Sequence, residues 1–429
     1  MSFQEYNSGL FDFLQSAVTP FHGVHYLDKI LSQAGFQELQ EHENWQLQSG
    51  NGYFCIRDNG SLLAWKMSAN TTTSTGWKIL GCHTDSPALQ VKPQPLKSQN
   101  SYTQLGVEVY GGPILATWFD RDLGIAGRVA LRDQGDTPLM KLIDFKRPVA
   151  MIPNLAIHLN REVNEKNSIK RQKQLLPLLC QTADDGISFT KLLRHQLKKE
   201  HPDSNPKEIL AFDLFCYDTQ PPQLTGLHKE FIAGGRLDNL ISCFVGIKSM
   251  IQKQNEGNCL LLCSNHEEIG SSSVAGAQGN FLSSVLARLL PDHTDRACAL
   301  NKSLCISMDN AHALHPNFSE KYDPQHLPLL NHGPVIKYNA NQRYATTSRS
   351  AAFFKNLCLD ANVPVQEFVM QNDLSCGSTI GPVMASSFGI QTVDVGVPSL
   401  AMHSIRETTG TKDPYLLAQA IDLFLSRPL

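Results

Sequence analysis

The spacing of apolar residues changes character along the chain, and each change predicts a different kind of element. In Tyr26-Leu27-Asp28-Lys29-Ile30-Leu31 the apolar positions recur at helical spacing, with Gly35 placed to end the helix. The preceding Thr19-Pro20-Phe21-His22 reads as a turn. Residues 53–57 and 62–67 then read as strands, and 68–76 as a polar loop. Trp77-Lys78-Ile79-Leu80-Gly81-Cys82 reads as a buried strand that runs straight into His83-Thr84-Asp85-Ser86-Pro87. From about Val91 to about Leu227 the runs shorten. Residues 107–110, 127–131, 139–145 and 211–217 are brief apolar stretches separated by turn residues, which predicts a β-rich segment. Within it, 164–174 reads as a charged loop and 184–201 as a helix. From about Phe231 onward helix and strand alternate again, the signature of an α/β sheet. The simplest parse is one α/β domain, residues 1–90 and 228–429, split by a β-rich insertion over 91–227.

Composition removes several function classes. Of the 429 residues, 41% are hydrophobic, enough for a large core. Lys and Arg number 37 against 40 Asp and Glu, so there is no basic footprint and no nucleic-acid partner is expected. No apolar run is long enough for a bilayer, so no membrane partner is expected either. Glu5 and Asp12 replace the basic start of a secretory signal. The 11 cysteines include no C-x-x-C pair, and free thiols without an export signal predict the reducing cytoplasm. Cys259 and Cys263 flank Leu260-Leu261-Leu262 and read as buried strand residues.

Five places put metal-competent side chains at the end of an element. The run ending at Cys82 leads to His83 and Asp85. The run 259–263 leads to His266-Glu267-Glu268, and 304–308 leads to Asp309. The run 392–397 leads through a Pro398 loop to His403, while Asp238 sits in Arg236-Leu237-Asp238-Asn239, just before a helical run over 240–251. In open α/β sheets ligands bind beyond the carboxyl ends of the strands, so these residues are expected to converge. Two His, two Asp and one of the two Glu make five donors. Two zinc ions that share one bridging carboxylate need three protein ligands each, hence five, and each keeps an open position. Nitrogen and oxygen donors without thiolate suit zinc, with cobalt or manganese as substitutes. In an extended segment Glu267 and Glu268 would point to opposite sides, so one can bind metal while the other serves as general base. Asp85 is placed to hold the ring N–H of His83. His266-Glu267-Glu268 is not the helical H-E-x-x-H motif, because no His lies four residues after His266.

Longer segments carry a resemblance. Gly81-Cys82-His83-Thr84-Asp85-Ser86-Pro87, Arg236-Leu237-Asp238-Asn239 and His266-Glu267-Glu268-Ile269-Gly270-Ser271 resemble signatures of the aspartyl aminopeptidase family. So do Asp309-Asn310-Ala311-His312, Asn341-Gln342-Arg343-Tyr344-Ala345, Cys376-Gly377-Ser378-Thr379-Ile380-Gly381-Pro382 and Ala401-Met402-His403-Ser404-Ile405-Arg406-Glu407. They occur in family order over essentially the whole chain, closest to the bacterial branch. The resemblance implies a zinc-peptidase-like three-layer α/β/α domain with a mixed central sheet, interrupted by a β-rich dimerisation domain. It implies a di-zinc metallo-aminopeptidase that removes the N-terminal residue of peptides, with a preference for Asp or Glu. One zinc would be held by His83 and Asp309 and the other by Glu268 and His403, with Asp238 bridging. Glu267 would be the general base and Asp85 would orient His83. The segment Ile152-Pro153-Asn154-Leu155-Ala156-Ile157-His158-Leu159-Asn160-Arg161 is similar to one whose His reaches a neighbouring subunit's site and steadies the tetrahedral intermediate, a role that would fall to His158. A β-hairpin His at a dimer seam is the competing reading. The family's assembly implies a dodecamer built from dimers.

One position departs from the family pattern. Asn341 stands where some members, notably animal ones, carry a Lys that helps bind the acidic substrate side chain. Arg343, His312 and Lys337 are the nearby cations left for that task. Gly377-Ser378-Thr379 reads chiefly as a helix-start turn, with a substrate contact at Gly377 as its second role. Three other functions compete: a di-zinc carboxypeptidase or deacylase, a catalytically weak scaffold of the same fold, and a thiol enzyme using Cys82 or Cys376. An aminopeptidase of broader or neutral specificity is the alternative within the family.

Overall fold

The computed structural model describes residues 2–68, 75–132, 137–166, 168–181, 188–203, 208–252 and 255–429. The loop expected over 68–76 and the start of the helix expected at 184 fall largely outside the described residues; so does one residue of the charged loop expected over 164–174. The chain forms two compact units. One comprises Met1–Asp85, Pro222–Met402 and Glu407–Leu429; the other comprises Ser86–Pro221 and the tetrapeptide His403–Arg406.

The first unit is built on a nine-stranded mixed sheet. At its centre Asn258–Ser264, Trp77–His83, Leu304–Met308 and Gln391–Gly396 lie side by side and parallel, so all four carboxyl ends share one edge. Ser61–Lys66 and Val335–Tyr338 flank this block antiparallel. A strand covered on both faces is apolar throughout, and Trp77–His83 is buried along its whole length. Its alternate side chains go to opposite layers. Leu80 and Cys82 join a core that includes Phe13, Leu240, Phe244 and Ile421, supplied by the helices Phe3–Ser16, Leu237–Met250 and Asp413–Ser426. Ile79 joins a second core with Phe281, Val285 and Met384, from the helices Phe281–Leu289 and Gly381–Phe388. Helices on both faces give the three-layer α/β/α architecture. Each fully buried Leu or Ile contributes roughly 1.5–3 kcal/mol to holding these layers together. A smaller five-stranded sheet in the same unit carries Glu407–Gly410.

The turn expected at Thr19–His22 is instead the start of the helix Pro20–Gln33. Thr19 caps it, its Oγ1 accepting from the His22 N–H at 3.4 Å, and Pro20 occupies the first turn, where no N–H is needed. The helix Phe3–Ser16 was not assigned from the pattern, although Ser2 and Glu5 form a capping box there.

The second unit is a six-stranded sheet in which every neighbouring pair is antiparallel. Ile209–Asp218 and Ala88–Gln99 lie at its middle, and the helix Phe189–Glu200 packs Leu193 and Leu197 into its core. Among the described residues no helix is long and apolar enough to cross a membrane.

Candidate active site

The shared carboxyl edge of the four parallel strands gathers most of the expected chemistry. Trp77–His83 ends on His83 itself, which is buried. Its Nε2 lies 3.5 Å from Asp238 Oδ1, 3.5 Å from Asp309 Oδ1 and 4.0 Å from Glu267 Oε2. Ligating atoms of His83, Asp238 and Glu268 all fall within 4.8 Å of one another. On the other side of the ring, His83 Nδ1 lies 3.0 Å from the Asp85 carbonyl oxygen and 3.5 Å from the Asp85 carboxylate.

Local backbone geometry delivers each of these groups. Asp238 lies where the chain enters the helix Leu237–Met250, but its ψ of 104° is not helical, so its carboxylate projects from a bend. The buried Glu407 carboxylate accepts the Asp238 N–H at 2.9 Å, and the Asn239 side chain donates to the Met308 carbonyl at 2.8 Å. These bonds tie the bend to the neighbouring strand ends. Asp309 follows Leu304–Met308 and donates its N–H to the Val395 carbonyl at 2.9 Å. The approach is close enough that a Cβ on Gly396 would lie 1.8 Å from the Asp309 carbonyl oxygen, so only glycine fits there.

Glu267 and Glu268 are not in an extended segment. His266, at φ +63°, turns the chain out of Asn258–Ser264, and Glu267–Ile269 forms a 3-10 turn. The expected alternation of faces therefore gives way to a different device. Both carboxylate oxygens of the fully buried Asp85 accept from this turn, from the Glu267 N–H at 3.1 Å and the Glu268 N–H at 3.1 Å. Asp85 thus holds the two glutamates as well as contacting His83.

The electrostatics are those of a cation site. Burial pushes the Glu267 carboxyl up to about 8; Asp309, Glu268 and Asp85 add to the rise and His83 opposes it. Burial alone would lower His83, but Asp238, Asp309, Asp85 and Glu267 outweigh it and hold the ring well above its ordinary value. Burial would raise Asp309, yet Lys337 and His83 hold it below the usual carboxylate range. Lys337 is itself buried, with Nζ 3.1 Å from Asp309 Oδ2 and 3.2 Å from the Asn310 carbonyl. The carboxylates of Asp85, Asp238, Glu267, Glu268 and Asp309 outnumber this one lysine, an arrangement that buried charge tolerates only with bound protons or further cations among them. Donors about 2.0–2.2 Å from a zinc ion lie three to four ångströms from each other, the scale found here. The donor set fits zinc.

The other expected residues have settings of their own. His403 belongs to the second unit, where its Nδ1 is 3.1 Å from the Gly112 carbonyl and its own carbonyl accepts from Ile114. His158 also belongs to the second unit, exposed on the 3-10 turn Ile157–Leu159 rather than on a hairpin. Asn341, Arg343 and Gly377 are exposed on two loops joined by the Ser378 Oγ to Arg343 carbonyl bond at 3.1 Å. Buried Asp394 ties the same loops together, accepting from Thr379 Oγ1 and the Ala345 N–H at 2.6 Å each. His312 packs edge-on to Phe368 at 5.5 Å. Cys82 is fully buried and burial pushes its thiol far up, which removes it as a nucleophile.

Pattern reading missed the supporting roles of Lys337, Glu407 and Asp394. The signal for Lys337 was its place inside Val335-Ile336-Lys337-Tyr338, a charge within an apolar strand that calls for a buried partner.

Comparison with known proteins agrees with this chemistry. The sequence profile of the family described as "Aminopeptidase I zinc metalloprotease (M18)" matches residues 13–425. A protein of Azotobacter vinelandii named "Probable M18 family aminopeptidase 2" is 50% identical over 426 residues, covering 99% of each chain. Among solved structures, a chain of the cryo-EM structure of the Ape4 and Nbr1 complex superposes with a TM-score of 0.92 at 37% identity, covering 97% of this chain and 84% of that one. The S. cerevisiae mApe1 dodecamer gives 0.83 at 28% identity, covering 97% and 95%. With a family match along nearly its whole length and a half-identical relative of the same extent, the chain belongs to the M18 family of zinc metallo-aminopeptidases.

Proposed function

We propose that this aminopeptidase works with two zinc ions per chain, one on His83 and Asp309, the other on Glu268 and His403, with Asp238 shared. The observation that carries this reading is the convergence of His83, Asp238 and Glu268 within 4.8 Å, with Asp309 3.5 Å from the same imidazole nitrogen. His403 joins the set by resemblance. With its proton on Nδ1, facing the Gly112 carbonyl, Nε2 carries the lone pair that a metal takes. Zinc held by these residues supplies Lewis-acid polarisation of the scissile carbonyl and lowers the pKa of water. Glu267 Oε2 takes the proton of the attacking water and delivers it to the leaving amine. Asp85 keeps that carboxylate in place through the backbone of the 3-10 turn.

His158 is proposed to act on the site of a neighbouring subunit. Leu155, Ile157 and Leu159, exposed by 57%, 46% and 74%, surround it, and such a run suits burial against another copy. The dodecameric assembly of S. cerevisiae mApe1 supports self-association, with a dodecamer built from dimers as the assembly proposed here.

Preference for an N-terminal Asp or Glu is proposed to rest on Arg343 and His312. Lys337 is engaged with Asp309, and Asn341 brings no charge. The same two observations favour a second reading, a broader specificity. Hydrolysis of peptides beginning with Asp, Glu, Ala, Leu or Lys, before and after chelation and after return of zinc, cobalt or manganese, separates them. Metal-dependent release fastest from Asp or Glu is expected. Equal release from all five supports the broader reading, and no release from any free N-terminus removes the proposal.

A further inference from the structure

We propose that Cys82, Cys243 and Cys263 form a second cation site, made of sulfur alone, that takes one soft divalent d10 ion of the cadmium kind. The three Sγ atoms lie within 4.8 Å of one another, and all three residues are fully buried. Cys82 and Cys263 are direct partners on neighbouring parallel strands, with their sulfurs 3.4 Å apart. Cys243 comes from the helix Leu237–Met250 on the same face of the sheet, and its Sγ donates to the His83 carbonyl at 3.0 Å.

Three thiols from three elements make a trigonal cradle. A metal–sulfur bond of about 2.3 Å places the sulfurs of such a site about 4 Å apart, so closing around an ion needs only small side-chain adjustments. A disulfide would use two of the sulfurs and bring them to about 2.05 Å, leaving the third without a function. The donor set selects the ion. Thiolates suit soft cations, zinc among them and the softer cadmium more so, whereas the carboxylates and imidazole a short distance along the same elements also accept harder ions such as manganese. On binding, each thiol releases its proton to solvent, so a divalent ion leaves a net charge of −1 on the cluster.

Each cysteine lies on an element that also carries a residue of the candidate active site. Trp77–His83 holds Cys82 and His83, Leu237–Met250 holds Cys243 and Asp238, and Asn258–Ser264 holds Cys263 and leads to Glu267 and Glu268. An ion seated among the sulfurs spreads the Cys82–Cys263 pair from its 3.4 Å separation and so shifts elements that carry the candidate active site, which would lower activity without displacing zinc.

The test is to produce the full chain in medium supplemented with cadmium, because the cluster is sealed, and to wash it with chelator. Cadmium and zinc per chain are counted and the sulfur-to-cadmium charge-transfer absorption is recorded for the wild type, Cys243→Ala, Cys263→Ala and a Cys298→Ala control at an exposed thiol. The expected result is one sulfur-bound cadmium in the wild type and the control, absent from the other two variants with zinc uptake retained. Equal sulfur-bound cadmium in all four proteins overturns the proposal. If the core variants do not fold, cadmium NMR of the wild type decides: a sulfur-only resonance supports the site, and resonances from oxygen and nitrogen donors alone overturn it. A Cys82–Cys263 disulfide in the cadmium-grown protein overturns it as well.

Discussion

Glu267 and His83 share their proton balance with the metal. Without it, both hold a proton at neutral pH. Burial pushes Glu267 up to about 8, and the surrounding carboxylates keep His83 raised against the opposing effect of burial. In the roles proposed for them, a zinc ligand must be a neutral imidazole and a general base an ionised carboxylate, so filling the site would expel these protons. Zinc affinity is therefore expected to rise with pH, through about 8 for the Glu267 contribution, with the raised His83 adding in the same direction. Zinc titrations of the metal-free chain on either side of neutrality measure this, and an affinity independent of pH contradicts it. Glu267→Gln should keep its zinc, show a shallower pH dependence and lose roughly 10²–10⁴-fold in turnover. Full activity in that variant removes Glu267 as the base. At this scale the sequence was informative where chemistry and position coincide, as with His83, Asp238 and Asp309 at element ends. Lys337 and Glu407 escaped because their roles depend on partners, Asp309 and the Asp238 N–H, that only tertiary structure brings near.

The elements around the site were legible in proportion to their burial. Trp77–His83 and Leu304–Met308 announce themselves as mainly apolar runs, broken only by Lys78, Ser307 and the terminal His83, because both of their faces are covered. The short 3-10 turn Glu267–Ile269 has no periodicity to read, and the left-handed residue that makes it, His266, is not a glycine. Its conformation is specified from a distance by Asp85. Removing that carboxylate leaves the Glu267 and Glu268 N–H groups without an acceptor and loosens both side chains together. Asp85→Ala is expected to cost about 10–100-fold in turnover or zinc affinity. Steady-state kinetics with metal analysis on the same samples check it, and an effect confined to KM refutes the clamp.

Across the whole molecule, composition separates the two units less clearly than packing does. The change in apolar texture placed an insertion at 91–227, while the compact unit is Ser86–Pro221 together with His403–Arg406. No local pattern could assign that last tetrapeptide, since its membership rests on bonds between residues far apart in sequence, such as the Ile405 N–H to Thr117 Oγ1 at 3.1 Å. Assembly belongs to this scale too. If the apolar turn around His158 is covered by another copy, Leu159→Glu should dissociate the oligomer and reduce activity together, as read by sedimentation and peptide hydrolysis. An intact assembly with full activity places the contact elsewhere.

The bond between His403 and the Gly112 carbonyl spans 291 positions of sequence. Its consequence is genealogical. A gene that shed the codons for 86–221 would still encode His403, but not the carbonyl that its Nδ1 faces. A descendant without the insertion would inherit the histidine without its anchor and would have to find that anchor again elsewhere. Any excision of 86–221 would therefore have to supply His403 with a new partner for its Nδ1.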